Sequence, residues 1–412
     1  MSVLLNVGAI TDIASVREDI LQYKVRRGEE RVRHGTAIFG KFVYRDETHI
    51  TLVHEESKIP DITYKRVGEM GKGGFGLVYA YEIRPPPTGV PDIFPRFLAV
   101  KFPRNPANSD VPYECEIIRQ FKRTGVNLIH RLNASPLFGD GNIEIGVVME
   151  HCDGSLRRIQ DRNVMPPFNW IQNLVNGLLI DSADIAKKTG LFHVDMKLDN
   201  VFHTTDGDPG RHGYFLIGDL GGFQSVSAKS SHGTYRKFGV RTNGFEHLCF
   251  CIGLMVVFML LGESDKNGAP NRSAFMNWLA RNHEGGQMSN VDWIRANGGF
   301  DMMNIWGEFR DSGGVPPKRS RGPMRDWEVG QSRDGRPITN GLKNHILQYS
   351  KDRGYAPLDA HRACELVEKL SFPQDYEIHG FQDIHKFFDF TIERRREPTF
   401  DTTGMGLGPA RR

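Results

Sequence analysis

The sequence predicts an α+β protein in two lobes: a β-rich N-terminal lobe with one main helix, then a larger helical C-terminal lobe. Three observations carry that expectation. Strand-like stretches dominate from about Tyr64 to Cys152: "YKRVGEMGKGGFGLVYAYEI", "RFLAVKF" and "IEIGVVMEHC". One stretch among them, "VPYECEIIRQFKRTG", has helical spacing in Tyr113, Ile117, Ile118 and Phe121, and Gly125 stops it. After "DGSL" the pattern turns mostly helical, over 168–189, 246–262, 273–281 and 359–370.

Taken in order, residues 11–33 contain "TDIASVREDILQYKVRR", which reads as a helix with Thr11 or Asp12 near its start. "TAIFGKFVYRDETHITLVHEE" alternates apolar and polar residues about a polar turn, the pattern of a hairpin. Residues 1–60 are therefore an N-terminal extension, to which no role is assigned. Residues 61–152 form the β-rich lobe and its exit strand. Within it "GKGGFG" is a Gly-rich turn and "PPPTGVPDIFP" a rigid connection. Residues 153–395 form the helical lobe, interrupted at 263–350 by an insertion rich in Gly, Asn and Pro. Residues 396–412 read as a flexible tail.

Composition narrows the function. The chain has 412 residues, 39% hydrophobic and 25% charged, an ordinary globular balance that supports sizeable cores. The net charge of +3 is too mild to argue for nucleic acid. The basic stretch "PPKRSRGPMR" at 316–325 is the one weak pointer toward nucleic acid or an acidic partner, and a solvated loop is the plainer reading. Five cysteines, an odd count without metal-ligand spacing, read as free thiols in a reducing compartment. The N-terminus lacks the basic start of a signal peptide. The longest apolar run, 248–262, is shorter than the roughly 20 residues of a membrane span and reads as a buried core helix. The expected location is intracellular, cytoplasmic or nuclear, with no membrane span.

The chemistry-bearing residues fall in three places. Gly71, Gly73 and Gly76 make a G-x-G-x-x-G, a weak signal by itself. Here a strand-like stretch follows it, where a dinucleotide fingerprint would open a helix. A glycine loop between strands can lie over phosphates without side-chain obstruction, with Val78 above a base. Lys101 ends the apolar strand "LAVK" and needs a partner if its neighbours are buried. Glu114 or Glu116 on the following helix can supply one, and helical phase favours Glu114. Finally, "HVDMKLDN" crowds Asp195, Lys197 and Asn200 together, and Asp219 follows the strand "YFLIGD". Phosphoryl transfer to a hydroxyl needs a carboxylate to steer the hydroxyl proton, a cation near the moving group, and oxygen ligands for a metal. Asp195, Lys197, and the pair Asn200 and Asp219 match those needs. Each alone reads more readily as a turn or cap residue than as a catalyst; their order is what points to the chemistry.

Those pieces in sequence resemble a eukaryotic-type protein kinase of a divergent kind. The matching stretches are "GKGGFGLV", "LAVK", "ECEIIRQF", "VVMEHCDGSL", "HVDMKLDNVF", "DLG" and "CFCIGLMVVFMLLGE", covering 64–262 and extending toward 390. The resemblance implies a two-lobed protein-kinase-like fold, ATP as donor, and Mg²⁺, or Mn²⁺ in its place. By the same resemblance Lys101, held by Glu114, contacts the α- and β-phosphates beneath Gly71, Gly73 and Gly76. Val78, Ala99 and Met149 line the adenine pocket, and backbone groups near Glu150 and Cys152 bind the adenine edge. Asp195 orients the acceptor hydroxyl, Lys197 stabilises the transferring phosphoryl, and Asn200 and Asp219 hold the metal. Lys197, two residues past Asp195, is similar to the serine/threonine-specific branch, so the implied substrate is a protein hydroxyl. Thr234 in "HGTYRKFG" looks like the threonine which that branch places against the catalytic loop.

The chain departs from the pattern in three places. Val194 replaces the arginine beside the catalytic aspartate, which makes switching by an activation-segment phosphate unexpected. Leu220 replaces a phenylalanine in the metal turn. Residues 235–247 hold no "APE" piece, and the buried helix does not start with an aspartate, so the substrate is less defined than the chemistry. Two other classes stay open: a kinase-shaped binding module without turnover, and a phosphotransferase acting on a small metabolite.

Overall fold

The computed structural model describes residues 41–53, 61–72, 76–83, 94–105, 109–126, 133–152, 154–157, 166–204, 214–225, 243–261, 342–352 and 354–390. Several sequence-based expectations lie outside them: the helix at 11–33, Gly73, Thr234, the segment near 273–281, the basic stretch at 316–325, most of the 263–350 insertion, and the tail.

The N-terminal half closes into a barrel of seven strands: β1 (Lys41–Asp46), β2 (His49–Val53), β3 (Ile62–Lys72), β4 (Gly76–Ile83), β5 (Phe97–Pro103), β6 (Ala134–Phe138) and β7 (Glu144–Glu150). Their order round the barrel is β1-β2-β3-β4-β5-β7-β6. Closure comes from parallel pairing of β1 with β6, Phe42 opposite Leu137 and Val43 opposite Phe138. This overturns the expected two-lobed, protein-kinase-like fold with its larger helical lobe. The N-terminal region is a closed seven-strand barrel, and only five α-helices occur among the described residues. The physical reason is that the β1–β2 hairpin is not an appendage. β2 pairs with β3, β1 reaches β6, and the sheet keeps no open edge. A boundary drawn at 60/61 therefore cuts through the barrel.

Strand alternation divides the barrel wall into two faces. Phe42, Ile50, Leu52, Ile62, Tyr64, Tyr81, Leu98, Val100, Leu137 and Val148 fill the interior and are all but inaccessible. Their neighbours on the same strands, such as Ala99, Lys101, Val147 and Met149, face outward. Helix α1 (Val111–Thr124) covers part of that outer face. Its buried residues Val111, Glu114, Cys115, Ile118 and Phe121 recur at three- and four-residue intervals, one stripe of a helix. Pro112 sits in the first turn, where its missing N–H costs nothing, and Gly125 ends the helix at φ 66°. Burial of Phe121 alone contributes about 2–3 kcal/mol.

Outer-face residues Ala134 and Val147 join α1 to a second, larger core. That core contains α2 (Phe168–Thr189), α3 (Gly244–Leu261), α4 (Leu342–Asp352) and α5 (Pro357–Ser371). Two small sheets border it. One holds β8 (Gly154–Ser155), β10 (Val201–Thr204) and β11 (Tyr214–Ile217); the other holds β9 (Leu191–His193) and β12 (Phe223–Ser225). Among the described residues α3 is the one helix long and apolar enough to cross a bilayer. Every residue from His247 to Leu261 is buried by protein, which is how a core helix satisfies an all-round apolar surface. At Gly253 a Cβ would meet Leu370 Cβ at 3.2 Å and Ser371 Oγ at 3.3 Å, so the glycine sets how closely α5 crosses α3.

Candidate functional site

Register builds the first part of the site. β4 and β5 pair with Val78 opposite Lys101 and Ala80 opposite Ala99. β5 and β7 pair with Ala99 opposite Met149 and Leu98 opposite Glu150. Val78, Ala99, Lys101 and Met149 therefore share the outward face, since Tyr81, Leu98, Val100 and Val148 point into the barrel. β3 and β4 pair up to the glycine-rich stretch, with Gly71 opposite Val78 and Lys72 opposite Leu77. Gly76 is packed so tightly that a Cβ would come 2.8 Å from the Phe102 carbonyl. Cys152, just past β7, is buried against Leu216, with Met149 and Phe202 beside them. The Glu150 side chain accepts from the Asn133 amide at 2.6 Å.

Helix α1 supplies the partner for Lys101. Of the two glutamates that the sequence left open, Glu114 is buried and ion-paired with Lys101 Nζ. Glu116 faces outward and pairs with Arg119 and Arg123. Lys101 Nζ also lies 3.7 Å from Asp219 Oδ1. Burial opposes charge on Lys101, but Glu114 and Asp219 outweigh it and its pKa is raised. Burial raises the pKa of Glu114 as well, against the pull of Lys101.

The β10–β11 hairpin supplies the second part. The chain enters β10 directly after Asn200 and leaves β11 directly before Gly218, with Val201 opposite Ile217. Gly218 N donates to Asn200 O at 2.9 Å. That register makes Asn200 and Asp219 neighbours although 19 positions separate them: Asn200 Nδ2 donates to Asp219 Oδ2 at 3.2 Å. The same amide donates to the Asp195 carbonyl at 2.8 Å and reaches Asp195 Oδ2 at 3.4 Å. Lys197 Nζ pairs with Asp195 Oδ2 at 2.5 Å. Asp219 adopts φ 51°, ψ 73°, a left-handed conformation uncommon for a residue with a side chain. Such strain persists where surrounding bonds over-determine it, and here Gly222 N closes the turn onto Asp219 O at 2.8 Å.

One unbroken chain of polar contacts results: Glu114, Lys101, Asp219, Asn200, Asp195, Lys197. It draws on α1, β5, the turn after β9 and the turn after β11. Asp219 and Asn200 are the residues able to offer oxygen to a hard cation. The carbonyl of Asp195 can only accept, so it fixes the Nδ2 side of the Asn200 amide and leaves Oδ1 on the other branch. No group of three or more His, Cys, Asp or Glu side chains with metal-holding geometry occurs among the described residues. A cation here would thus need further oxygens from a substrate.

Several supporting residues carried no role in the sequence reading. His193 Nε2 donates to the carbonyls of Gly218 at 2.9 Å and Asp219 at 3.2 Å, which ties the Asp195 segment to the Asp219 turn. Burial holds the pKa of this imidazole below its ordinary value. Gly222 lets the ring in: a Cβ there would fall 2.5 Å from it. The Tyr113 hydroxyl donates to the Phe223 carbonyl and braces α1 against the same turn. Arg157 Nη1 contacts both oxygens of Asp199, at 3.0 and 3.3 Å, beside Asn200. His193 stood within "HVDMKLDN" and could have been singled out; Tyr113 was read with the apolar face of the helix but is exposed and uses its hydroxyl instead, and Arg157 has no local signal.

Neither protein-family models nor curated proteins give a match to this chain.

Proposed function

We propose that this chain transfers the terminal phosphoryl group of ATP to a hydroxyl, with Ser/Thr side chains of protein as the acceptor class. The observation that carries the reading is the contact chain from Glu114 to Lys197. Nothing in barrel packing requires six ionic or amide side chains from four separate segments to meet. Phosphoryl transfer requires that set, because its catalysis is mostly positioning and charge stabilisation.

The roles follow from position. Lys101 is held charged by Glu114 and is one side chain away from Asp219, so it can bind phosphate oxygens next to the metal ligands. Asp219 and the Asn200 amide oxygen would hold Mg²⁺ or Mn²⁺, which would neutralise charge on the bridging phosphates. Asp195 accepts or steers the hydroxyl proton. Lys197, on the same carboxylate, stands ready to stabilise charge on the moving group. The outward face of Val78, Ala99 and Met149, with Cys152 at its end, offers an apolar wall for a purine base. Backbone groups near Glu150 and Cys152 would bind the base edge, with Gly71, Gly73 and Gly76 over the phosphates.

The test is incubation of the purified protein with γ-labelled ATP and Mg²⁺, offered to itself, to generic proteins and to small amino or choline-like alcohols. Label in protein, lost in Asp195→Asn, is the expected result. Label only in the small alcohols would move the reading to a metabolite phosphotransferase. Nucleotide binding without any transfer would reduce it to a binding module.

A further inference from the structure

The residue before Asp195 is fixed from two sides. Val194 N donates to the Gly222 carbonyl at 2.8 Å, tying it to the Asp219 turn. Its own carbonyl meets His247 Nε2 at 2.7 Å, inside the protein. His247 is 3% exposed and belongs to the first turns of α3, whose later residues are all apolar and buried. A carbonyl only accepts, so Nε2 carries the proton. The second atom near Nε2, Cys251 Sγ at 3.5 Å, does not compete for that proton: burial keeps the thiol un-ionised, with Asp195 adding to the effect. A side chain with a donor in the midst of an apolar helix thus addresses one backbone atom next to the proposed base.

We infer that His247 is a positioning residue, which helps fix Asp195 by anchoring the Val194 carbonyl to the buried core helix α3. The inference rests on the phosphotransfer reading for its effect on rate, but not for the anchor itself. Val194 has no side-chain group through which a second site could adjust Asp195, and is itself buried. Asp195 is thus set from the core side through His247, beside the tie that Val194 N makes to Gly222.

The anchor depends on one atom, which allows an atom-specific test. The amide nitrogen of glutamine lies the same number of bonds from Cβ as Nε2 of histidine, whereas that of asparagine stops one atom short. His247→Phe keeps the ring volume and removes the donor. The expected result is near wild-type kcat for His247→Gln, a fall of about 100-fold for His247→Phe and His247→Asn, and an unchanged KM for ATP in all three; a misplacement of about 1 Å is enough for such a loss. Equal rates for the Gln and Phe variants would overturn the inference. Amide hydrogen exchange gives a reading without turnover. Exchange of 191–200 is expected to speed up in His247→Phe and to stay at the wild-type rate in His247→Gln, with 168–189 unchanged in both. If the wild type transfers no phosphate, the functional reading fails while exchange still judges the anchor. Unaltered exchange of 191–200 in His247→Phe would end it.

Discussion

Removal of the carboxylate at Glu114 gives the sharpest energetic test of the site. The Lys101 side chain is 15% exposed and that of Glu114 is 3% exposed, so neither can regain water without moving the wall around it. Loss of one partner from a buried pair costs about 3–5 kcal/mol, because the other charge is stranded. Lys101 keeps a second carboxylate, Asp219, at 3.7 Å. At an effective dielectric of about 20 that attraction is about 4 kcal/mol before desolvation, enough to bring the loss toward the lower end of the range. Glu114→Ala is therefore expected to lower unfolding free energy by about 3 kcal/mol in urea titrations read by tryptophan fluorescence. Lys101→Met together with Glu114→Leu removes both charges and is expected to recover most of that loss, since apolar replacement of a buried pair is often neutral. Phosphoryl transfer is expected to vanish in both. A stability loss under about 0.5 kcal/mol for Glu114→Ala would refute the buried pair, and with it the reason Lys101 stays charged.

Other perturbations follow from single contacts. Gly222→Ala places a methyl against the His193 ring and is expected to cost about 1–3 kcal/mol, checked by thermal unfolding. The Tyr81 hydroxyl is buried in the barrel without a hydrogen-bond partner, so Tyr81→Phe is expected to be neutral or stabilising by up to about 1 kcal/mol in the same assay. Burial, and then the Lys343 charge, lower the pKa of His361 from its ordinary 6.5. Below that pH the unfolded chain binds a proton that the folded one resists, so this group's contribution is full above about pH 6.5 and is lost on acidification. The urea midpoint of the wild type is expected to fall more than that of His361→Gln between pH 7.5 and 5.5. All five cysteines are buried, and the Cys115 thiol is pushed up to about 12 by burial, with Glu144 adding to the shift. Iodoacetamide at pH 8 is expected to leave the native protein unmodified and to label five sites after denaturation, by mass.

What the sequence made legible was local. The period of "VPYECEIIRQF" marked Ile117, Ile118 and Phe121 on the buried face of α1 but wrongly placed Tyr113 with them, which is exposed; the same period favoured Glu114 over Glu116 as the partner of Lys101, as the ion pairs have them. The strand "RFLAVKF" was legible as a strand, and a partner for Lys101 on the next helix with it, but not which of its residues enter the barrel. Closure of the barrel was not legible. It depends on Phe42 and Val43 meeting Leu137 and Phe138 nearly a hundred positions away, and nothing in "KFVYRD" specifies that partner. The hairpin at its head consequently read as an extension, and the fold class was misjudged with it. His247 failed for a different reason. A single histidine at the head of an apolar run reads as a satisfied core residue, and only its backbone partner shows what it holds.

The most direct measurement is a single turnover, with protein in excess over γ-labelled ATP, quenched at intervals and run beside Asp195→Asn. If the six side chains form a phosphoryl-transfer site, the wild type passes label to a serine or threonine while the variant binds the nucleotide equally well and transfers none. Equal transfer by the two proteins, or no nucleotide bound by either, would contradict the site.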